Sequence, residues 1–285
     1  MQHKPKMQFS NKVKTIPEAL SIYINQLVYD LEKKGKDIIT LSLGEAFFSI
    51  PMFDFSKLDF VKGYHYSSSK GIPELRETIS KYYKSQYQAT IDPHNEILIT
   101  AGSKSVIFFA MQATLNEGDE VLIHEPGWLS YQEQIKLVGA IPIFIPYNVE
   151  PSDFNKFFSN NTKMVVINNP NNPAGKVYSS EELQSVYSQC RSKGIYVLVD
   201  EAYSDFIVED KFCTMANIAP NKDGVIIVNS LSKNMGMSGW RVGYVIAEKE
   251  LINEILKLNQ HIITCAPTIL QYYMSEYFEK IISIT

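Results

Sequence analysis

Cysteine is scarce in this chain, with three in 285 residues. Cys190, Cys213 and Cys265 are odd in number, far apart and without metal-ligand spacing, which excludes a disulfide framework and a cysteine-held metal. They are expected as small buried hydrophobes in a reducing compartment. Long apolar runs are missing too. None reaches the length of a membrane-spanning helix, and the basic start MQHKPKMQFSNKVK lacks the apolar segment of a signal peptide. A cytoplasmic protein is expected. Positive charge is not in excess: the formal net charge is -4, the pI is near 5.8 and the basic residues are scattered. Neither nucleic acid nor a membrane surface is therefore an expected partner. A G-x-G-x-x-G fingerprint is absent, so a dinucleotide-binding reading has little support, and there are no internal repeats. What is present is ordinary globular composition, 45% hydrophobic and 20% charged, in a chain long enough for a substantial core.

Residues 1–14 read as a loose arm. Thr15 and Glu18 have the spacing of a capping box, with Pro17 in the first turn of a helix that carries Ile22, Ile24, Leu27, Val28 and Leu31 and stops at Gly35. DIITLSLG (37–44) reads as a short strand ending in glycine. EAFFSIPMFDF is irregular, with aromatics suited to packing. A turn through Ser67–Gly71 leads near Pro73 into an amphipathic helix with Leu75, Ile79, Tyr82 and Tyr83 on its buried face. Strand patterns then alternate with helical ones: ILIT (97–100), EVLIH (120–124), IPIFI (141–145), MVVIN (164–168), IYVLVD (195–200), VIIVN (225–229) and VGYVIA (242–247). Such alternation predicts an α/β domain, a mostly parallel sheet sandwiched by helices. The last two strands are too close for a crossover helix, so that pair is expected antiparallel and the sheet mixed.

In a sheet of this kind, ligands meet the carboxyl ends of the strands. Several of those ends carry polar groups. Gly102-Ser103-Lys104 opens a helix after ILIT; it is either an ordinary cap or a phosphate cradle of free N–H groups. Asn168 to Gly175 is rich in asparagine and proline, a turn-forming loop in which an amide can also donate to a ligand oxygen. Asp200, with Tyr203 close behind, can cap a helix or pair with a protonated ring nitrogen. Trp128 can pack in a core or stack on a flat ring. Within VIIVNSLSKNMGMSGWRVGY, Ser230, Ser232 and Arg241 can hold a phosphate, and Lys233 is either a surface lysine or an amine able to form a Schiff base. Taken together, these groups favour pyridoxal phosphate. The histidines at 3, 65, 94, 124 and 261 match no such position and are expected in surface or packing roles.

The stretches SLSKNMGMSGWRVGY, NNPNNPAG, VDEAYSDF and YSSSKGIPELR identify the sequence as resembling the class I/II aminotransferase family of fold-type I pyridoxal-phosphate enzymes. The resemblance runs from about Thr15 to the C-terminus. It implies Lys233 as the Schiff-base lysine, Asp200 opposite the pyridinium nitrogen, and Asn172 and Tyr203 on the ring hydroxyl. Trp128 would lie on the ring face. Ser230, Ser232, Arg241 and the backbone at Ser103 and Lys104 would hold the phosphate. Tyr66 matches a tyrosine that reaches the phosphate from a neighbouring subunit, implying a homodimer, and Gly44 matches a glycine beside the substrate carboxylate. It also implies a division into residues 1–48, an arm, a helix and part of a small domain, and residues 49–285, a large cofactor-binding domain. The chain reads as stopping inside the helix that leads into the rest of the small domain, which is then incomplete. Two departures stand out. Gly44-Glu45-Ala46-Phe47-Phe48 replaces the usual Gly-Glu-Pro-Asp-Phe, and no arginine follows Arg241. The expected activity is transfer of an amino group between an amino acid and a keto acid. A decarboxylase or lyase on the same fold, or a catalytically silent cofactor-binding homologue, are the alternatives.

Overall fold

The seven apolar runs form one sheet: β1 (Ile97–Thr100), β2 (Glu120–His124), β3 (Ile141–Ile145), β4 (Thr162–Asn168), β5 (Tyr196–Asp200), β6 (Val225–Ser230) and β7 (Gly243–Ala247). Their order across the sheet is β1-β7-β6-β5-β4-β2-β3. The structure is a computed structural model that describes residues 7–40, 44–207 and 212–285. The neighbours β3-β2, β2-β4, β4-β5 and β5-β6 are parallel. As expected from the short connection before it, β7 is antiparallel to β6, and it is also antiparallel to β1. The carboxyl ends of β1, β2, β4, β5 and β6 and the start of β7 consequently share one edge.

The helices are α1 (Asn11–Lys14), α2 (Leu20–Glu32), α3 (Phe60–Gly63), α4 (Pro73–Tyr87), α5 (Ser103–Thr114), α6 (Ser130–Val138), α7 (Ser180–Arg191), α8 (Met215–Ile218), α9 (Leu231–Asn234), α10 (Lys249–Ile262) and α11 (Thr268–Ile282). Side chains alternate across the strands and so feed two apolar layers. Ile97, Ile99, Val165, Val197, Val199, Val225 and Ile227 pack with Leu75 and Ile79 of α4, Leu183 of α7 and Met274 of α11. Leu98, Val166, Leu198, Ile226 and Val228 pack with Val106 of α5, Ile135 of α6 and Ile252 of α10. The central strands are buried on both faces, which explains why they read as unbroken β-branched runs rather than alternating ones.

Two expectations change near the start of the chain. The helix after the arm begins at Leu20, not at a Thr15 capping box: Thr15 closes α1, and its hydroxyl donates to Lys12 O at 3.0 Å. Pro17 disfavours a helical conformation at Ile16 and so separates the two helices. Of the strand expected at 37–44, residues 37–40 have no regular structure and no ladder partner, while 41–43 lie outside the described residues. At the other end, α11 closes at Ile282, with Ser283 as its cap, before the chain ends. The cysteines divide, Cys190 being buried and Cys213 and Cys265 half-buried.

Two buried ionisable side chains tie loops to this frame. Lys222 is 2% exposed; its ammonium donates to Pro220 O at 2.7 Å and Thr90 O at 2.8 Å and pairs with Glu96 at 2.9 Å. Exposed pairs such as Lys257–Glu254 are worth ~0–1 kcal/mol. Removing Glu96 would strip a buried cation of its counter-charge, at a cost of roughly 3–5 kcal/mol. Glu201, fully buried just past β5, accepts from Met215 N–H at 2.7 Å and from the Thr214 hydroxyl at 2.9 Å. Burial pushes its carboxyl up to about 8, against the pull of these donors. In the unfolded chain the same group ionises near its ordinary 4.5. Its contribution to stability is therefore full below that value and is lost as pH rises to about 8. Glu201→Gln, isosteric with the protonated acid, should show a smaller fall in denaturant-unfolding stability between pH 5 and 8 than the parent protein, an expectation that an equal fall would refute.

Candidate active site

At the shared strand edge lies a cavity of about 360 Å³, within the range of small-molecule sites. Its walls are built from several strand ends, closed on one side by Ser21, Ile22 and Glu45 from the N-terminal segment. The turn after β1 supplies Ser103 and Lys104, the loop after β2 supplies Trp128, and the loop after β4 supplies Asn172. Beyond β5 come Asp200 and Tyr203, beyond β6 come Ser230, Ser232 and Lys233, and Arg241 precedes β7. Ten of the residues singled out from sequence thus meet around one space. Gly44 is not on its wall but touches it, since Lys233 Nζ donates to Gly44 O. That contact borders a second hollow of about 650 Å³ shared with Pro126, Trp128, Leu129 and Tyr203. Tyr66 is apart from the cavity and 85% exposed, on a surface hollow with Ala101 and Cys265.

Steric constraints shape one end of the cavity. Gly102, at φ +83°, starts α5, and a Cβ there would lie 2.4 Å from Arg241 Nη2. A Cβ on Gly243 would come within 2.5 Å of Ser103 N and 2.8 Å of Gly102 C. Two glycines therefore let β7 and the guanidinium press against the opening of α5. Arg241 itself is in the left-handed region at φ +54°, a strain on the order of 1 kcal/mol that aims its side chain back toward Ser232 Oγ at 3.5 Å and Ser238 O at 3.0 Å. Unpaired backbone N–H groups of a helix start, two serine hydroxyls and a guanidinium form a donor set that suits an anion such as phosphate.

The other end holds an acid. Asp200 is 6% exposed, and its partners are neutral: Tyr131 Oη donates to Oδ2 at 2.8 Å and Ala202 N–H to Oδ1 at 3.1 Å. Burial raises its proton affinity, and these two donors oppose the rise. A carboxylate so placed, with no cation bonded to it, suits a protonated ring nitrogen. Between the two ends, Asn172 Nδ2 donates to Tyr203 Oη at 3.1 Å, and Trp128 carries Lys104 Nζ 5.0 Å from its ring centre. Burial lowers the proton affinity of Lys233; Glu45 opposes this, while Arg241 and Lys104 add to it. A flat ring bearing a phosphate at one end and a basic nitrogen at the other fits this arrangement of donors and acceptor.

Some lining residues carry no individual role in the sequence reading. Tyr131 was missed, although it sits one helical turn from Trp128, a spacing that places both on one side. Their rings meet edge to face at 5.2 Å and 84°. Asn168 accepts from Asn172 N–H at 2.5 Å and donates to Asp200 O at 2.9 Å, joining the β4 and β5 loops. His124 packs as expected, buried against Tyr178 Oη at 2.5 Å.

Residues 36–283 match the family model described as aminotransferase class I and II. The chain belongs to this family. Like other class I and II aminotransferases it is an enzyme that uses pyridoxal 5'-phosphate. It is 39% identical over 257 residues to the (5-formylfuran-3-yl)methyl phosphate transaminase of Methanocaldococcus jannaschii, covering 89% of this chain and 68% of that one. With the aspartate aminotransferase of Thermotoga maritima it shares 33% identity over 272 residues, 92% of this chain and 72% of the relative. The structure of Thermus thermophilus aspartate aminotransferase with maleate superposes with a TM-score of 0.88 at 26% identity, over 98% of this aminotransferase and 75% of that chain. These relatives are all named as aminotransferases or transaminases, and neither the decarboxylase or lyase alternative nor the silent one gains support from them. The strand-edge geometry makes one quantitative demand of the enzyme: Gly243→Ala, which would push Cβ into backbone atoms, should lower Tm by roughly 2–10 °C. It should also weaken pyridoxal-phosphate retention about tenfold or more in equilibrium dialysis, a loss of roughly one charge-assisted hydrogen bond.

Proposed function

We propose that the strand-edge cavity performs amino-group transfer between an amino acid and a keto acid, with Lys233 as the covalent and proton-carrying residue. The observation that supports this most strongly is the meeting of Lys233, Asp200 and the Gly102–Arg241 donor set in one cavity. When bound, pyridoxal phosphate supplies an aldehyde that condenses with amines and a protonated ring that draws electrons from the adjoining carbon. Asp200 would keep the ring nitrogen protonated, a role that its buried setting strengthens, because a charge opposite it is poorly screened. Asn172 Nδ2 and Tyr203 Oη, already bonded to each other, would donate to the ring oxygen. Ser230, Ser232, Arg241 and the N–H groups of Ser103 and Lys104 would bind the phosphate, and Trp128 would cover the ring face. Lys233, released by an incoming amine, would take the proton from the substrate α-carbon and return it on the cofactor side. Burial and the neighbouring cations favour its free-base form, the form that can accept a proton.

Gly44 would stand beside the substrate carboxylate, and residues 1–48 with residues 49–285 would divide as arm with part of a small domain and large domain. The enzyme would be a cytoplasmic homodimer. Support for the dimer comes from Tyr64 and Tyr66, 78% and 85% exposed beside a hollow that reaches Ala101, next to the phosphate donors. Sedimentation equilibrium at micromolar concentration should return twice the 32.4 kDa of one chain, and a single-chain mass would rule the dimer out. Purified protein should absorb in the visible, and borohydride should fix the cofactor to Lys233. Lys233→Ala should lose both the lysine adduct and amino-group exchange; an unchanged adduct would remove Lys233 from its role.

A further inference from the structure

Behind Lys233, in the apolar layer on the α4 and α7 side of the sheet, three polar side chains meet away from solvent. Ser204 Oγ accepts from Asn234 Nδ2 at 3.1 Å and from Asn229 Nδ2 at 3.3 Å, and Asn234 Nδ2 also reaches Asn229 Oδ1 at 3.5 Å. Asn229 Oδ1 accepts from Ser230 N–H at 2.7 Å. The three are 3%, 4% and 0% exposed for Ser204, Asn234 and Asn229. They come from separate pieces of chain. Ser204 sits in the turn that carries Asp200 and Tyr203, where its N–H bonds Glu201 O at 3.0 Å. Asn229 lies in β6, and Asn234 ends α9 immediately after Lys233.

We propose that the Ser204–Asn229–Asn234 cluster is a positioning device that locks the lysine turn to the Asp200 turn, so that Lys233 Nζ and the Asp200 carboxylate keep the separation one bound cofactor must span. The proposal rests on the roles given above to Lys233 and Asp200. Three observations carry it. First, α9 has four residues and cannot hold its own shape, since a single turn gains too few backbone bonds to offset the order it imposes. Its buried neighbours Leu231 and Met235 fill space without fixing direction. Leu231 N–H ties the start of the turn to Val242 O at 3.2 Å, the Ser230 cap accepts from Ser232 N–H at 3.1 Å, and Ser232 Oγ accepts from Arg241 at 3.5 Å; past Lys233, the Asn234 amide is the side-chain tie that reaches the Asp200 turn. Second, Asn234 Oδ1 is buried without a partner among the described residues. For stability alone, an apolar side chain of that shape would do better than an amide with an unused acceptor. What the position keeps is the amide's N–H donation. Third, Ser204 receives both amides on one oxygen, so a single atom joins the two turns.

The test uses the full chain loaded with pyridoxal phosphate, in the parent and in Asn234→Leu, Ser204→Ala, the double variant and Ser204→Thr. Both single changes keep near-native volume, and either alone decides the question if the other does not fold. Each single variant should retain the cofactor, lose about tenfold in kcat, the equivalent of one net hydrogen bond, and keep KM within about twofold. The pH midpoint of the visible absorption should move from the parent's, because it depends on how the attached Lys233 is held relative to Asp200. Acting through one contact, the double variant should be no worse than the poorer single, and Ser204→Thr, which keeps the hydroxyl, should return the parent midpoint. Midpoints that stay put while Tm falls, or single effects that multiply in the double variant, would overturn the cluster's role. A coloured Lys233→Ala adduct would instead overturn the site reading on which it rests, so the two failures are separable.

Discussion

Two carboxylates follow one another at the end of the central strand β5, and both are buried. Side-chain alternation sends Asp200 to the cavity and Glu201 to the opposite layer, where Thr214 and Met215 N–H receive it. Burial raises the proton affinity of both, and the charge of Asp200 adds to the rise at Glu201. Glu201, fully buried and away from the cavity, is pushed up to about 8 in spite of its donors and is the easier one to keep protonated. Asp200, with Tyr131 and a backbone donor on its two oxygens, is the easier one to ionise once a cation faces it. The loops bearing Tyr203, Ser204 and Thr214 all attach to this pair, so the shape of the site depends on how two charges share one strand end.

The rest of the cavity is built by steric economy. Glycine at 102 and at 243 lets three segments occupy a volume that side chains would fill, and Arg241 accepts a strained backbone to face them. The sheet supplies the rigid edge from which these short loops project. The strand ends, rather than the loops themselves, fix where the polar groups stand.

Much of this was legible in the sequence, and for a physical reason. Strands buried on both faces write themselves as runs such as VIIVN and MVVIN, and the residues that follow each run must fall on the ligand-facing edge of a parallel sheet. Lys233, Asp200 and Asn172 are readable in that way. Tyr131 is not, because its partner Asp200 lies far along the chain and no local pattern announces a hydrogen bond from α6 to the end of β5. The Ser204, Asn229 and Asn234 side chains look like turn-formers in sequence, and only the packing of β5 against β6 brings them together. The misplaced start of α2 has a different cause. Thr15 and Glu18 satisfy a capping pattern, but Pro17 between them changes the backbone of Ile16, and the local pattern loses to that constraint.

The order of strands has a bearing on how the molecule is made. β1 borders only β7, and Ile97 meets Ile246 across that ladder. A chain leaving the ribosome can assemble β2 to β6 early, since each finds its neighbour among them, while β1 waits for the last strand to be synthesised. Long-range pairings of this sort form late, because the loop they close is large. The turn at Gly102 and the guanidinium of Arg241 reach their places only with that final insertion. If Lys233 and the Gly102–Arg241 donor set act as proposed, a nascent chain would carry its lysine for some time before the donor set is complete, and cofactor capture would report that the sheet has closed.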